Sequence, residues 1–343
     1  MNTTSASALA PAPVPLDLAL NLTPDLKALV RQSVAPSTFE AYSKAWVRLG
    51  AWLNQQSLSV DDLSDGVLAE YVSALFSEGL APASIRILVA GPKFILRLAG
   101  RDGVAGPLTQ RAMAGVSRAG RDRGRGQSAG VSWKESDRIA RKLKEKPNAH
   151  APSASLRDGA AVRLASDCLL RVSELLAVQV GDLSFDEDGG GVLSVRSSKT
   201  DQTGRGAELF FGGETADALR SWLWALGNAV GSRSLKELFG LPPSQHVFTR
   251  VWRGDTVTAD PLSHRRLREI LKSHMGAFLP DDGRRRSSHA FRIGSAQSLA
   301  RAGGSLVDLQ TAGRWVDPSM PARYCKGEMA RRGAVARLRY GRK

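Results

Sequence analysis

Apolar residues in the first third of the chain recur at three- and four-residue steps. Phe39, Tyr42, Trp46, Leu49 and Leu53 form one stripe, the mark of an amphipathic helix. Ser37 and Glu40 have capping-box spacing at its start. A second helix is expected from about Gly66, with Leu68, Tyr71, Val72 and Leu75 inward and Gly79 as its stop. A third begins near Ser84 and carries Ile85, Leu88, Ile95 and Leu98; Pro92 within it should kink or break it. A fourth runs from about Pro107 through Val116. Nothing here alternates with the period of a strand, so the expectation is an all-helical unit over residues 23–120.

The pattern lapses between Arg118 and Gly130, a glycine-rich stretch holding Arg118, Arg121, Arg123 and Arg125. It reads either as a solvated linker or as a flexible basic strap lying on phosphates, and residues 121–130 are taken as an interdomain linker. A second domain, 131–343, opens at Ser132 with capping-box spacing to Glu135 and a helix to about Lys144. Another helix should span Leu156 to Leu170 and run into Arg171. Two strands follow, Val192 to Arg196 after a triple-glycine turn and Ala207 to Phe211, with Lys199 in the polar loop between them. The rest reads as helices: about Glu214–Leu226, Ser263–Phe278, Ser288–Ala302, Ser305–Ala312 and a last one over Met329–Leu338. The fold class is therefore multidomain: an all-α N-terminal unit, then a mainly α domain with a small antiparallel sheet.

Composition changes the picture in one respect. Of 343 residues 42% are hydrophobic and 24% charged, ordinary for a globular chain, but 48 Lys+Arg oppose 33 Asp+Glu, a net +15. Such a surface seeks polyanions, nucleic acid first and an acidic membrane second. No apolar run reaches the ~18–20 residues that span a bilayer. Residues 1–22 begin rich in Ala, Pro, Ser and Thr without a basic signal-peptide region, and read as a disordered tail of a cytoplasmic protein. Cys168 and Cys325 are far apart and lack metal-ligand spacing; Cys168 lies in an apolar run, while Cys325 leaves a redox role open.

Several chemistries are excluded by the residues. There is no phosphate-binding glycine loop ending in Gly-Lys-Ser/Thr, no zinc spacing, no nucleophile elbow and no tight carboxylate cluster for two metals. Phosphate chemistry here would rest on cationic side chains, with no metal and no cofactor expected. His289 and Arg292, three apart, share a helix face; Trp315 and Tyr324 follow, and Arg171, Glu174 and Lys199 precede. Each also has an ordinary reading. Arg171 could simply pair with Glu174, Lys199 could be solvated, His289 a cap, and Trp315 core.

Taken in order, Arg171, Lys199, His289, Arg292, Trp315 and Tyr324 resemble the six active-site positions of the tyrosine recombinases, the phage integrase family, and Glu174 stands where an acidic residue is often found. The resemblance reaches from about Ser37 to the end, specific in the second domain and only architectural in the first. It implies the DNA breaking-rejoining fold, a core-binding domain followed by a catalytic one, and a metal-independent DNA strand transferase that exchanges strands between two sites. Arg171 and Arg292 would hold the non-bridging phosphate oxygens, a task for forked guanidinium groups. Tyr324 would attack with His289 as base, Lys199 would protonate the leaving 5′ oxygen, Trp315 would offer its indole N–H, and Glu174 would orient a cation. The product would be a 3′-phosphotyrosyl link.

The implied partners are a double-stranded DNA recombination site and three further copies of the chain, a homotetramer on two sites, with no membrane. Two lobes would clamp the duplex. Besides the linker arginines, Arg265, Arg266 and Arg268 on a helix and Arg284, Arg285 and Arg286 beside His289 are candidate DNA contacts, or else solvated surface charge. Val335 and Leu338 would anchor a C-terminal helix on a neighbouring subunit. Asp317 and Pro318 cap the segment before Tyr324, but Pro321 suggests an irregular start. A type IB topoisomerase-like relaxing enzyme, a telomere resolvase and a catalytically inactive DNA-binding regulator are the rivals. A relaxation assay set against a two-site assay separates the first.

Overall fold

The computed structural model describes residues 23–124, 126–196, 206–231, 238–331 and 333–341. The chain divides between Gly126 and Gln127 into two compact units.

The first unit is helical: α1 Pro24–Gln32, α2 Pro36–Gln55, α3 Asp65–Ser77, α4 Pro82–Leu98 and α5 Pro107–Ala119. Helix α1, absent from the sequence reading, is nine residues long; Leu26, Leu29 and Val30 share one face, but none of its residues is buried. The expected Ser37 cap does not form. Pro36 takes the first helical position, which places Ser37 too far inside to cap, and Glu40 pairs with Lys44 instead. Pro92 does not break α4, which runs through it. Gly91 beside it explains how: a Cβ there would come within 2.8 Å of Ala45 Cβ and of the Tyr42 carbonyl oxygen. The bare backbone lets α4 close on α2, and that packing offsets the lost hydrogen bond, worth ~3 kcal/mol or more in an open helix. Leu49, Leu53, Leu68, Tyr71, Leu75 and Ile85 fill the core between the helices. Asp65 caps α5, accepting from the Leu108 and Thr109 amides at 2.8 and 2.9 Å.

The second unit begins with α6 Trp133–Glu145, where the Ser132–Glu135 capping box forms as expected. Helix α7 Pro152–Asp167 stops short of Arg171. Leu169 and Leu170 lie in different apolar clusters, one beside Trp315 and one in the main core. Burying both requires the chain to leave the helix, and Leu169 adopts a left-handed φ of 48°. Arg171 thereby becomes the N-cap of a new short helix, α8 Val172–Ala177.

Strands β1 Leu183–Phe185, β2 Gly191–Val195 and β3 Ala207–Phe211 form an antiparallel sheet with Leu193 opposite Leu183 and Leu209. Two further strands, β4 Thr249–Val251 and β5 Val257–Pro261, pair separately. Helix α9 Gly213–Val230 packs on α7, and its buried Trp222 donates to the Val247 carbonyl at 2.6 Å. Helices α10 His264–Phe278, α11 Ala290–Ala302, α12 Leu306–Gly313, α13 Ser319–Tyr324, α14 Lys326–Arg331 and α15 Ala334–Tyr340 complete the unit.

Helix α11 is buried on nearly every side, and Gly294 sits directly on the backbone of Val131. The single last helix expected over Met329–Leu338 is instead two, parted at Gly333. The irregular start expected before Tyr324 is absent: Pro321 lies in the first turn of α13, where a missing N–H costs little, and Asp317 accepts from the Ser319 amide at 2.8 Å. Among the described residues no helix is long and apolar enough to cross a membrane.

Candidate active site

Helix α11 carries two of the candidate residues one turn apart. His289 is its N-cap, and Arg292 lies a turn inside with 1% of its surface exposed. The Arg292 guanidinium donates to the carbonyls of Leu169 and Gly313, and the Trp315 ring centroid lies 4.6 Å from its carbon. These three contacts fix its plane. Burial, then the charges of Arg171 and Arg314, brings its pKa down to about 9, so it stays cationic at neutral pH.

The α11 N-terminus faces α13. His289 Nε2 lies 3.1 Å from the Tyr324 hydroxyl. Burial first, then the neighbouring Arg292 and Arg171, lowers the imidazole to about 4. His289 is therefore neutral at physiological pH, and with its proton on Nδ1 the Nε2 lone pair can accept the phenol proton. The Tyr324 ring packs edge-on to Trp315 at 5.5 Å, and its backbone carbonyl accepts from Gln297 Nε2 at 3.1 Å.

On the other side of Arg292, Glu174 is almost fully buried and shared. One carboxylate oxygen accepts from Arg171 Nη1; the other accepts from Arg314 Nη2 at 2.7 Å and from the Arg171 amide at 2.9 Å. Burial alone would raise the Glu174 pKa, but Arg314 and then Arg171 hold it below the usual value. Arg171 thus does pair with Glu174, and it does so beside Arg292 rather than on a remote surface.

Arg171, Glu174, His289, Arg292, Trp315 and Tyr324 are therefore brought together within one unit of one chain. Lys199 lies outside the described residues, as does Arg125. Trp315 is both wall and core, 6% exposed and clustered with Leu169, Leu309 and Cys325. Cys325 is fully buried, and burial pushes its thiol up to about 11, which disfavours the reactive thiolate that a redox role needs.

The arginine clusters divide. Arg118, Arg268 and Arg285 are exposed, as is Arg121 beside Asp122. Arg265 and Arg266 are exposed but face Glu269 at 2.8 and 3.6 Å. Arg286 is turned inward and paired with Asp282, which also holds Arg284, so these two are less available to DNA than their sequence suggests. Arg123 lies over the Phe76 ring at 3.8 Å and donates to the Phe76 carbonyl. At the other end of the linker, Ala129 and Val131 donate to the carbonyls of Arg285 and Ala290. The stretch read as either a solvated linker or a flexible strap is tied at both ends, each to its own unit. Leu338, expected as an anchor, is exposed; the Val335 side chain lies outside the described residues.

Arg314 and Gln297 are the residues that sequence reasoning missed. Arg314 sits 140 residues from Glu174, and no local pattern announces that pairing. Its place between Gly313 and Trp315 was the only available signal.

Comparison with known proteins identifies the family and the fold. The profile of the phage integrase family matches residues 135–331. The recombinase cre of Escherichia phage P1 is 26% identical over 192 residues, 53% of this chain and 53% of the relative, so the match spans about half the relative's length. Among solved structures, the XerH site-specific recombinase bound to palindromic difH substrate in a post-cleavage complex superposes with a TM-score of 0.67 at 12% identity, over 92% of this chain and 84% of that one. A lambda integrase dimer bound to a COC′ core site gives 0.55 at 18% identity, over 87% and 74%. At these identities the likeness is one of fold: helical units with small antiparallel sheets, the tyrosine recombinase architecture. With its profile match covering more than half of its length, the chain belongs to the phage integrase family, the tyrosine recombinases.

Proposed function

We propose that this chain is a site-specific recombinase that cuts and rejoins DNA through Tyr324. The observation that carries the reading is the 3.1 Å approach of the Tyr324 hydroxyl to His289 Nε2, next to the buried Arg292 and inside one chain. A free tyrosine titrates near ~10, so attack at neutral pH needs a base and a cationic surround. His289 supplies the first, accepting the phenol proton as the oxygen attacks phosphorus, and returning it when the tyrosine leaves. Arg292 and Arg171 supply the second. Their forks bind the non-bridging oxygens and stabilise the charge that gathers on them in the pentacoordinate transition state. Trp315 keeps water from one side and holds the Arg292 plane. Lys199 is assigned the proton for the departing 5′ oxygen.

The 3′-phosphotyrosyl bond keeps the energy of the phosphodiester, so the 5′ hydroxyl of a second strand can displace the tyrosine without a nucleotide cofactor. The charge work falls to guanidinium groups, and the reaction as proposed uses no metal. Two such exchanges between two duplexes, on a homotetramer, complete recombination. DNA would be held by exposed cations, Arg118, Arg268 and Arg285 first, with Arg121, Arg265 and Arg266 after release from their carboxylate partners. The setting would be the cytoplasm, on the host DNA or a mobile element.

The test uses a nicked duplex carrying a site that the protein itself selects from a randomised pool. The wild type should leave an SDS-resistant protein–DNA adduct, and Tyr324→Phe should bind the site but leave none. Adduct surviving in Tyr324→Phe would refute the assignment, and binding with no adduct in either would favour a DNA-binding regulator.

A further inference from the structure

The Arg314 backbone is left-handed, φ 54° and ψ 46°, a conformation that costs an L-residue energy and a glycine none. Of the five non-glycine residues with positive φ among those described, two, Leu169 and Arg314, meet at this site. A glycine would satisfy the turn, and the arginine side chain adds contacts that a glycine could not make. Its Nη1 donates to the Cys168 carbonyl at 3.0 Å and its Nη2 to Glu174 at 2.7 Å. It thereby ties the end of α12, just before Trp315, to the turn that presents Arg171.

We propose that Arg314 is a positioning residue. It acts as the second counter-charge of Glu174, so that the Arg171 guanidinium can turn from the carboxylate to a substrate phosphate without leaving a bare buried charge. The proposal rests on the recombinase reading above.

The two arginines differ in the way this division needs. The Arg171 side chain is twice as exposed as that of Arg314, 18% against 9%, and within the described residues its guanidinium bonds only Glu174. Arg314 is held by backbone carbonyls as well and stays put. Glu174, 3% exposed, cannot turn to water when Arg171 leaves, and an unpaired buried carboxylate is strongly disfavoured. The charged and titratable groups facing it are Arg171 at the start of α8, Arg314 at the end of α12, and Arg292 and His289 on α11. Burial raises the Glu174 pKa, and Arg314 leads the contacts that lower it.

The experiment measures single-turnover adduct formation and duplex affinity on the same nicked duplex from the randomised pool. Arg314→Gly relaxes the backbone and removes the side chain. Arg314→Asn, which tolerates the left-handed turn, stands in if the glycine variant does not fold. Either should slow adduct formation by about tenfold or more while affinity changes less than about twofold, the split expected of a group that acts in the chemical step. Glu174→Gln should also be slow, and adding Arg314→Gly to it should cost less than about twofold more, because Arg314 acts through that carboxylate. Wild-type speed in Arg314→Gly would overturn the proposal while leaving the recombinase reading intact. Losses that multiply in the double variant, or that fall equally on rate and affinity, would overturn it too. A wild type that forms no adduct would sink the recombinase reading and this proposal with it.

Discussion

At the scale of single residues the site turns on a neutral histidine beside a phenol. Because the free protein holds His289 near 4, the acid limb of the second-order rate of adduct formation should lie well below the ~6.5 of an ordinary histidine. A rate that halves between pH 7 and 6 would contradict this. The same shift bears on stability. The folded state releases the proton at a lower pH than the unfolded chain, so unfolding takes up a proton between ~6.5 and about 4. Stability present above that window is lost as pH falls through it. His289→Gln should flatten this part of the melting-temperature profile and slow cleavage by ~10²-fold or more. Arg292→Lys should cost at least as much. A lysine cannot donate in a fork to the Leu169 and Gly313 carbonyls and a phosphate together. The clustering of His289, Arg292 and Tyr324 was legible because family spacing marks them. Arg314 was not, because its partner is distant in sequence and its backbone conformation leaves no trace in composition.

At the scale of elements, the site depends on where helices stop. A pattern of apolar steps sees a helix interior well and its end poorly. The run through Leu170 looked continuous, yet burial of Leu169 and Leu170 in two clusters ends the helix and gives Arg171 its place at the head of α8. Strands β1 and β4, three residues each, are too short for alternation to show. Helix α11 positions His289 and Arg292 by passing through the centre of its unit. Its contact with the incoming chain is tightest at Gly294, where any Cβ would overlap the Val131 backbone. Gly294→Ala should therefore destabilise the protein by ~1–3 kcal/mol or more, read as a fall in the denaturation midpoint. A neutral effect would mean that α11 is not held against Val131 as described.

At the scale of the molecule, the net charge of +15 and the exposed arginines on both units fit a protein that binds by displacing counterions. Affinity for a selected duplex should fall steeply between ~50 and ~200 mM salt, by orders of magnitude if six or more phosphates are met. A flat salt dependence would contradict a phosphate-led interface. Adduct formation should persist at the same rate after dialysis against EDTA, since the proposed mechanism places the charge on guanidinium groups; loss on chelation and recovery with a divalent ion would overturn that mechanism. The overall two-part design was legible from the lapse of helical periodicity around the linker. The tying of that linker at both ends was not, because it depends on contacts such as Arg123 on Phe76 and Ala129 on Arg285 that join residues far apart in sequence. The most direct measurement is to digest the trapped adduct with trypsin and nuclease and weigh the modified peptide. The phosphoryl remnant is expected on the fragment Tyr324-Cys325-Lys326, bonded to the phenol oxygen. A remnant on any other residue would contradict the account.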